Sequence, residues 1–520
     1  MLSFPMLAIG IAALTILVRV QYLSDIPRYL DEINEITPAF GIVRGTSFPL
    51  VSGPKHLGAF FDYVLAGAMF VFGRSPDLPR AVVLSTGLLT VLVTYGYARA
   101  FAGRWAGLIA AGLLAVSAPH VLLSSRVAWS ASLTPLLGIG AAWALELAVS
   151  RGRPWLLLVA ALLAGLALQA HPSFVALLPG FAIFGLLRGR HLLRQPQLYL
   201  AGLVFLAAFA NVMLYNWQSG VGGLRSVSQQ YPGEGLGMEV YVKNFGAPLH
   251  GLLLALSSSV DPTRAPSVFE PFVVFVAILS LVALLSLARR STALPFFVVT
   301  SALLVLPLIH DDFTPLFKAR YTMPLVPLVY VAVAVMVARI LALRARRLRF
   351  VAAGAALLMM GGMLMSLRDF QSAMIANDCT NAPQRAFIAE LERHLRPGEW
   401  ILLDEGLLPS AERLGYLTLL ELSSRRVGEA SLERRGVWDE LRERPSFLTA
   451  VRDGKAIQVF EKQGLALLPQ SVSAVHPASR AAGPDGSAPA QGIGLYRVHA
   501  EGAALLAHDA EPGCGNLLTN

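Results

Sequence analysis

The residues able to do chemistry in this chain gather where long apolar runs end. Asp31 and Glu32 follow an apolar run over 4–23 by a few residues, Glu35 stands one turn further on, and Gly53-Pro54-Lys55-His56 comes next. A carboxylate so placed can act as general base toward a hydroxyl or an amine; the bland alternative for Asp31-Glu32 is a solvated helix cap. Lys and Arg nearby can hold a phosphate and stabilise it as a leaving group, Arg by forked geometry and Lys as a point charge. Lys55, His56, Arg126, Lys318 and Arg320 are the candidates for that task. Arg320-Tyr321 reads either as a phosphate contact or as an interfacial anchor, and His171 before Pro172 either as a turn residue or as part of the site. His310, Asp311 and Asp312 could take a divalent cation such as Mg or Mn, but three adjacent ligands do not define a site, and a solvated loop is the plainer reading. Neither a G-x-x-x-x-G-K-[ST] loop nor a dinucleotide fingerprint is present, so a soluble nucleotide-sugar donor has no cradle.

The elements that must position these groups are membrane spans. The 520 residues are 55% hydrophobic and only 14% charged, too few charges to cover a globular surface. Apolar runs long enough to cross a bilayer lie at about 4–23, 81–101, 105–122, 131–149, 154–170, 173–188, 198–215, 269–288, 292–309, 322–342 and 350–367. A further run, 57–73, is short and carries Asp62. If it does not cross and the N-terminus is cytoplasmic, fourteen arginines between Arg99 and Arg349 fall in inner loops; if it crosses, all fourteen lie outside. The positive-inside rule therefore makes 57–73 a helix lying along, or re-entering, the outer surface. The expected protein is α-helical and polytopic, with about eleven spans, the N-terminus in and the C-terminus out. It sits in a plasma (inner) membrane, with long outer loops at 24–80 and 216–268. This count also explains the net charge of +9, of which residues 1–375 carry 27 Lys/Arg against 14 Asp/Glu. That excess marks the cytoplasmic edge, with Arg344 to Arg349 facing anionic lipid, and nucleic acid is not expected as a partner.

Residues 376–520 have the composition of a soluble α/β domain, with strands expected at 400–404, 456–460 and 493–498 and a helix at 383–395. Asp404-Glu405 reads as exposed loop charge. The chain's two cysteines, Cys379 and Cys514, flank this domain; in an oxidising compartment they are expected to pair.

In its order of motifs the chain resembles the GT-C superfamily of membrane glycosyltransferases, in particular the branch of dolichyl-phosphate-mannose protein mannosyltransferases and the bacterial aminoarabinose transferase. The likeness rests on Leu30-Asp31-Glu32, Gly53-Pro54-Lys55-His56-Leu57, the aromatic-rich helix ending Phe72-Gly73, Arg80, the Thr94–Arg99 span end, Ser125-Arg126-Val127-Ala128, Gly165–Pro172 and Arg320–Pro327. It covers roughly residues 1–345. The resemblance implies sugar transfer from a polyprenyl-phosphate carrier to a lipid, polysaccharide or protein acceptor on the non-cytoplasmic side, with inversion at the anomeric carbon. It also implies that Asp31, with Glu32 beside it, is the base or acceptor-positioning group, and that Lys55 or His56 lies near the carrier phosphate. Where such enzymes often carry a second acidic residue after the arginine of the second outer loop, this chain has Trp129 and Ser130. The competing classes are a transporter or lipid flippase, which would place ionisable residues at mid-membrane, and a non-catalytic envelope assembly protein, which would tolerate loss of Asp31.

Overall fold

A computed structural model describes residues 3–21, 23, 30–53, 55–223, 225, 238–259, 269–290, 292–309 and 318–376. In the C-terminal part it describes 388–389, 391–396, 399–403, 407–408, 410–423, 429–430, 446–452, 458, 472–476 and 493–499. The chain divides into two compact units, Met1–Gly73 with Asp77–Thr380, and Arg74–Pro76 with Asn381–Asn520.

The first unit is helical. Its helices run α1 (Phe4–Val20), α2 (Leu30–Val43), α3 (Phe60–Phe72), α4 (Leu78–Ala115), α5 (Ala118–Leu123), α6 (Thr134–Ser150), α7 (Leu156–Ala170), α8 (Leu178–Arg188), α9 (Pro196–Ala208) and α10 (Ala210–Gln218). Beyond these come Gly246–Ser257, Pro271–Ala288, Leu294–Val305, Val326–Leu341 and Arg346–Ala376. Several start with proline in the first turn, where its missing N–H has no helical partner to lose. Five helical stretches among the described residues are long and apolar enough to cross a membrane. Six more are shorter, and α9 and α10 qualify together as a span bent by 55°. Ile9, Leu17, Leu203, Ile278, Leu285 and Leu357 leave large apolar side chains exposed, the inverse of a soluble surface and the mark of a lipid-facing one. The protein is a multi-pass membrane protein.

The helix α4 contains a reversal. Ala102 and Gly103 leave helical geometry, Gly103 at φ +81°, a region that favours glycine. A side chain on Gly107 would come within 2.7 Å of the Tyr95 ring, although twelve residues of straight helix would separate them by roughly 18 Å. So the chain folds back within α4, at the gap between the apolar runs 81–101 and 105–122. The stretch Met323–Leu341 is the most enclosed, 83% buried in its apolar window against 28% for Pro271–Ala288. It is apolar all round, as a central helix must be. By contrast α3 has 13 residues, roughly 20 Å of helix, short of the ~30 Å hydrocarbon core. Gly246–Ser257, which was not among the expected spans, is a largely buried helix inside the second long loop.

The second unit holds a five-stranded mixed sheet in the order β2-β1-β3-β5-β4, with β1 Trp400–Leu402, β2 Glu429–Ala430, β3 Ser446–Arg452, β4 Val472–His476 and β5 Ile493–His499. The strand β1 runs parallel to β2 and β3, and β5 pairs antiparallel with β3 and β4. Ile401, Leu403, Leu448, Ala450 and Leu495 pack against Tyr416, Leu419 and Leu420 of the helix Ser410–Ser423. Beside this core Arg497 makes a forked pair with Glu399 (2.8 and 3.2 Å), which also accepts from Ser446 Oγ and the Arg396 N–H. Burial alone would raise the Glu399 carboxyl, but these donors win and hold it below its ordinary range. The expected strands at 400–404 and 493–498 correspond to β1 and β5. The strand expected at 456–460 lies outside the described residues except for Gln458, which is helical. Cys379, Cys514, Asp404 and Glu405 also lie outside them.

Candidate active site

The polar residues of the first unit meet at the end of the bundle where α1 finishes. Two arginines cap helices there. Arg19, in the last turn of α1, is fully buried and donates to the carbonyls of Leu114 (3.2 Å) and Ala115 (3.1 Å) that end α4, as well as to the Thr15 carbonyl, Ser124 Oγ and His120 Nδ1. A guanidinium can only donate, so the His120 proton sits on Nε2. Arg126 returns the favour, donating to the carbonyls of Val18 and Gln21 at the end of α1. A cation at a helix C-terminus satisfies orphan carbonyls and opposes the helix dipole.

The helix α2 is tied down twice. Glu32 and Arg80 have no exposed side-chain surface and form a forked pair, Nε–Oε1 3.0 Å and Nη2–Oε2 3.1 Å, while Arg80 Nη1 donates to the Leu23 carbonyl. One turn on, Glu35 Oε2 accepts the Ser130 N–H at 2.6 Å, a short charge-assisted bond. Thus Glu35 reaches the Trp129-Ser130 stretch, where the resemblance led one to expect a second acid. Asp31 lies between these ties and the helix start; its described part is its backbone.

From Ser130 the network runs on through aromatic rings. Trp129 is buried, and the Arg320 guanidinium lies 4.9 Å from its ring centre and 5.4 Å from that of Tyr321, cation–π distances. Tyr321 in turn meets the His171 ring edge-on at 5.1 Å. His171 Nδ1 accepts the Ser173 N–H and caps the turn that follows, the structural role its place before Pro172 allows. Four separate loops are thereby joined. Arg320 keeps partial exposure and Lys55 is exposed, whereas Arg126 is buried. Only the backbone of Lys318 is described, and His310, Asp311 and Asp312 lie outside the described residues.

A carboxyl that residue types alone do not single out stands near Glu35. Asp62, on α3, is fully buried and accepts from Ser52 Oγ at 2.9 Å, with its other oxygen unpartnered. Burial pushes it up to about 8; the Ser52 bond pulls the other way, and the neighbouring Glu35 charge adds to the rise. It is therefore largely a neutral acid at pH 7. Its sequence signal was the one charge in an otherwise apolar run. Among the described residues no group of three or more His, Cys, Asp or Glu could hold a metal ion.

Residues 58–215 match the family model described as dolichyl-phosphate-mannose-protein mannosyltransferase. The chain superposes on the crystal structure of ArnT from Cupriavidus metallidurans bound to undecaprenyl phosphate, with a TM-score of 0.62 at 12% identity, covering 94% of this chain and 97% of that one. The fold is ArnT-like. The same ArnT in the apo state matches with a TM-score of 0.58 at 13% identity, over 96% and 98% of the two chains. Among curated proteins no relative matches the sequence. Both matches extend over nearly the full length of this chain.

Proposed function

We propose that the protein is a membrane glycosyltransferase that moves a hexosyl or pentosyl unit from a polyprenyl-phosphate carrier to a hydroxyl or amine on the non-cytoplasmic face. The observation that carries this reading is the double anchoring of α2, through Glu32–Arg80 and Glu35–Ser130, at the end of the bundle that also bears Lys55 and Arg320. The shared fold with ArnT, whose ligand is a polyprenyl phosphate, supports the donor class.

In this proposal Asp31 is the base. It takes the proton of the acceptor as the acceptor's oxygen or nitrogen bonds to the anomeric carbon from the side opposite the phosphate. The sugar–phosphate C–O bond breaks, its electron pair leaves on the phosphate oxygen, and the configuration inverts. Lys55 and Arg320, with His56 and Lys318 nearby in sequence, balance the phosphate charge, with Arg126 behind them at the end of α1. Glu32 acts as the clamp that sets α2 rather than as a second base. A divalent cation finds no resident three-ligand set among the described residues, and transfer assayed after EDTA dialysis, with and without restored Mg or Mn, decides its part. The acceptor is a lipid, polysaccharide or protein at the outer surface of the plasma membrane.

Asp31→Asn in purified protein reconstituted with polyprenyl-phosphate sugars is expected to lower transfer by about 100-fold or more, the usual contribution of a general base. Transfer at the wild-type rate overturns the assignment. Cysteine labelling in the 188–197 loop is expected only from the cytoplasmic side, and Cys379 and Cys514 are expected to appear disulfide-linked on non-reducing mass mapping.

A further inference from the structure

The loop that carries Lys55 and His56 is a small hairpin. Val51 and Gly58 form an antiparallel bridge, and the Ser52 N–H donates to the Leu57 carbonyl at 3.0 Å. Ser52 Oγ ties one arm to Asp62, and the Gly58 N–H ties the other to the carbonyl of Gln169 at 2.9 Å. The contact at Gly58 is close: a Cβ there would lie 2.5 Å from Gln169 Oε1, so only glycine fits.

The same glutamine reaches into the break of the bent span. Between α9 and α10 the ladder is interrupted at Phe209, and Gln169 Nε2 donates to the Ala208 carbonyl at the break. Just past it, Asn211 Nδ2 donates to Gln169 Oε1 at 2.8 Å and to the Leu50 carbonyl at the foot of the hairpin at 2.7 Å. Main-chain carbonyls can only accept, which fixes both amides in these orientations. Side chains inserted into a helix break both cause the kink and satisfy its freed groups. On the far side of the hairpin, Gly223 packs at the Lys55 carbonyl, where a Cβ would lie 3.0 Å away. Its N–H is held by Asn216 Oδ1 at 3.1 Å.

We propose that Gln169 and Asn211 are positioning residues: the amide relay from the break of the bent span to Leu50 and Gly58 sets the place of the hairpin and so presents Lys55 to the donor phosphate. This rests on the reading of Lys55 as a phosphate-binding cation. Neither amide acts on the reacting atoms. Replacing Asn211 by leucine keeps its branched shape and removes both donated bonds, freeing the hairpin foot while the flanking spans remain packed. The consequence falls on donor binding rather than on the chemical step.

The test uses the full chain in lipid nanodiscs, wild type against Asn211→Leu and Gln169→Met. Donor KM is expected to rise about tenfold with kcat changed by less than about threefold, and binding of undecaprenyl phosphate is expected to weaken in parallel. Lys55→Ala combined with Asn211→Leu is expected to be no worse than Lys55→Ala alone, because the relay acts through Lys55. Equal losses in kcat at unchanged KM, or additive losses in the double variant, overturn the inference. A spin label on Lys55→Cys reads the hairpin without any activity. A spectrum that is restricted in the parent and mobilised by Asn211→Leu supports positioning, and identical spectra overturn it. Wild-type protein that neither transfers sugar nor binds the carrier overturns the functional reading alone, with the label still deciding whether the relay holds the hairpin.

Discussion

Removing one partner of the Glu32–Arg80 pair should be far more damaging than removing both. The two side chains have 0% exposure and meet through two bonds of 3.0 and 3.1 Å, so removing either partner breaks a forked pair that water does not reach. Breaking such a buried pair costs about 3–5 kcal/mol, whereas replacing both members with apolar groups of similar volume is often close to neutral. Glu32→Gln and Arg80→Met are each expected to lose about 3–5 kcal/mol. The double variant Glu32→Leu/Arg80→Met is expected to lose far less than the sum, for a coupling of roughly 3 kcal/mol or more, at the upper end for residues in contact. Arg80→Met also strips the Leu23 carbonyl of its donor, so the double variant should not return fully to wild type. Reversible unfolding in mixed detergent micelles, followed by tryptophan fluorescence, supplies the four free energies. Single variants within 1 kcal/mol of wild type, or a double variant equal to the sum of the singles, would refute the argument that this pair clamps α2.

Two further outcomes concern pH. Because Asp62 is raised to about 8 in the fold, the folded state holds a proton that the unfolded chain releases near pH 4. Stability from this group is complete below that value and is lost as pH rises toward 8. Melting of the wild type should fall between pH 5 and 8.5 more steeply than melting of Asp62→Asn, and parallel curves would contradict the buried neutral acid. Glu399 has the opposite sign: its lowered carboxyl contributes stability above its unfolded value that is lost as pH falls through the folded one. Protection factors in β3 and β5 of the full chain, corrected for the intrinsic exchange rate at each pH, should therefore fall on acidification in wild type, while Glu399→Gln should be poorly protected already at neutral pH.

Hydropathy made the spans readable because each is a local property of roughly twenty residues, and even the turn at Ala102-Gly103 shows as a gap between two apolar runs. What joins the loops was not readable in the same way. Arg80 finds Glu32 across 48 residues and Ser130 finds Glu35 across 95, and no periodicity within a helix encodes such distances. Asp31 and Glu32 look alike as neighbouring acids in the sequence. The structure separates them by giving Glu32 a buried guanidinium. Asp62 and Gln169 are visible in the sequence without a role, because in a mostly apolar stretch a lone polar group shows nothing of its partners. In the C-terminal unit β1 and β5 follow from alternating or continuous apolar residues. β3, with Ser446, Thr449 and Arg452 interrupting Phe447-Leu448 and Ala450-Val451, does not stand out.

The two-residue reversal in α4 bears on how the molecule is made. Residues 78–115 form two antiparallel segments joined with no intervening loop, so their contacts are local in sequence and the entropy of closing them is small. The pair can come together as soon as its second half leaves the ribosome, well before the enclosed Met323–Leu341 stretch exists. Arg19 then locks onto the Leu114 and Ala115 carbonyls from a segment already synthesised. The first assembled piece of the bundle would thus be α1 with both halves of α4, a nucleus against which later spans pack in turn.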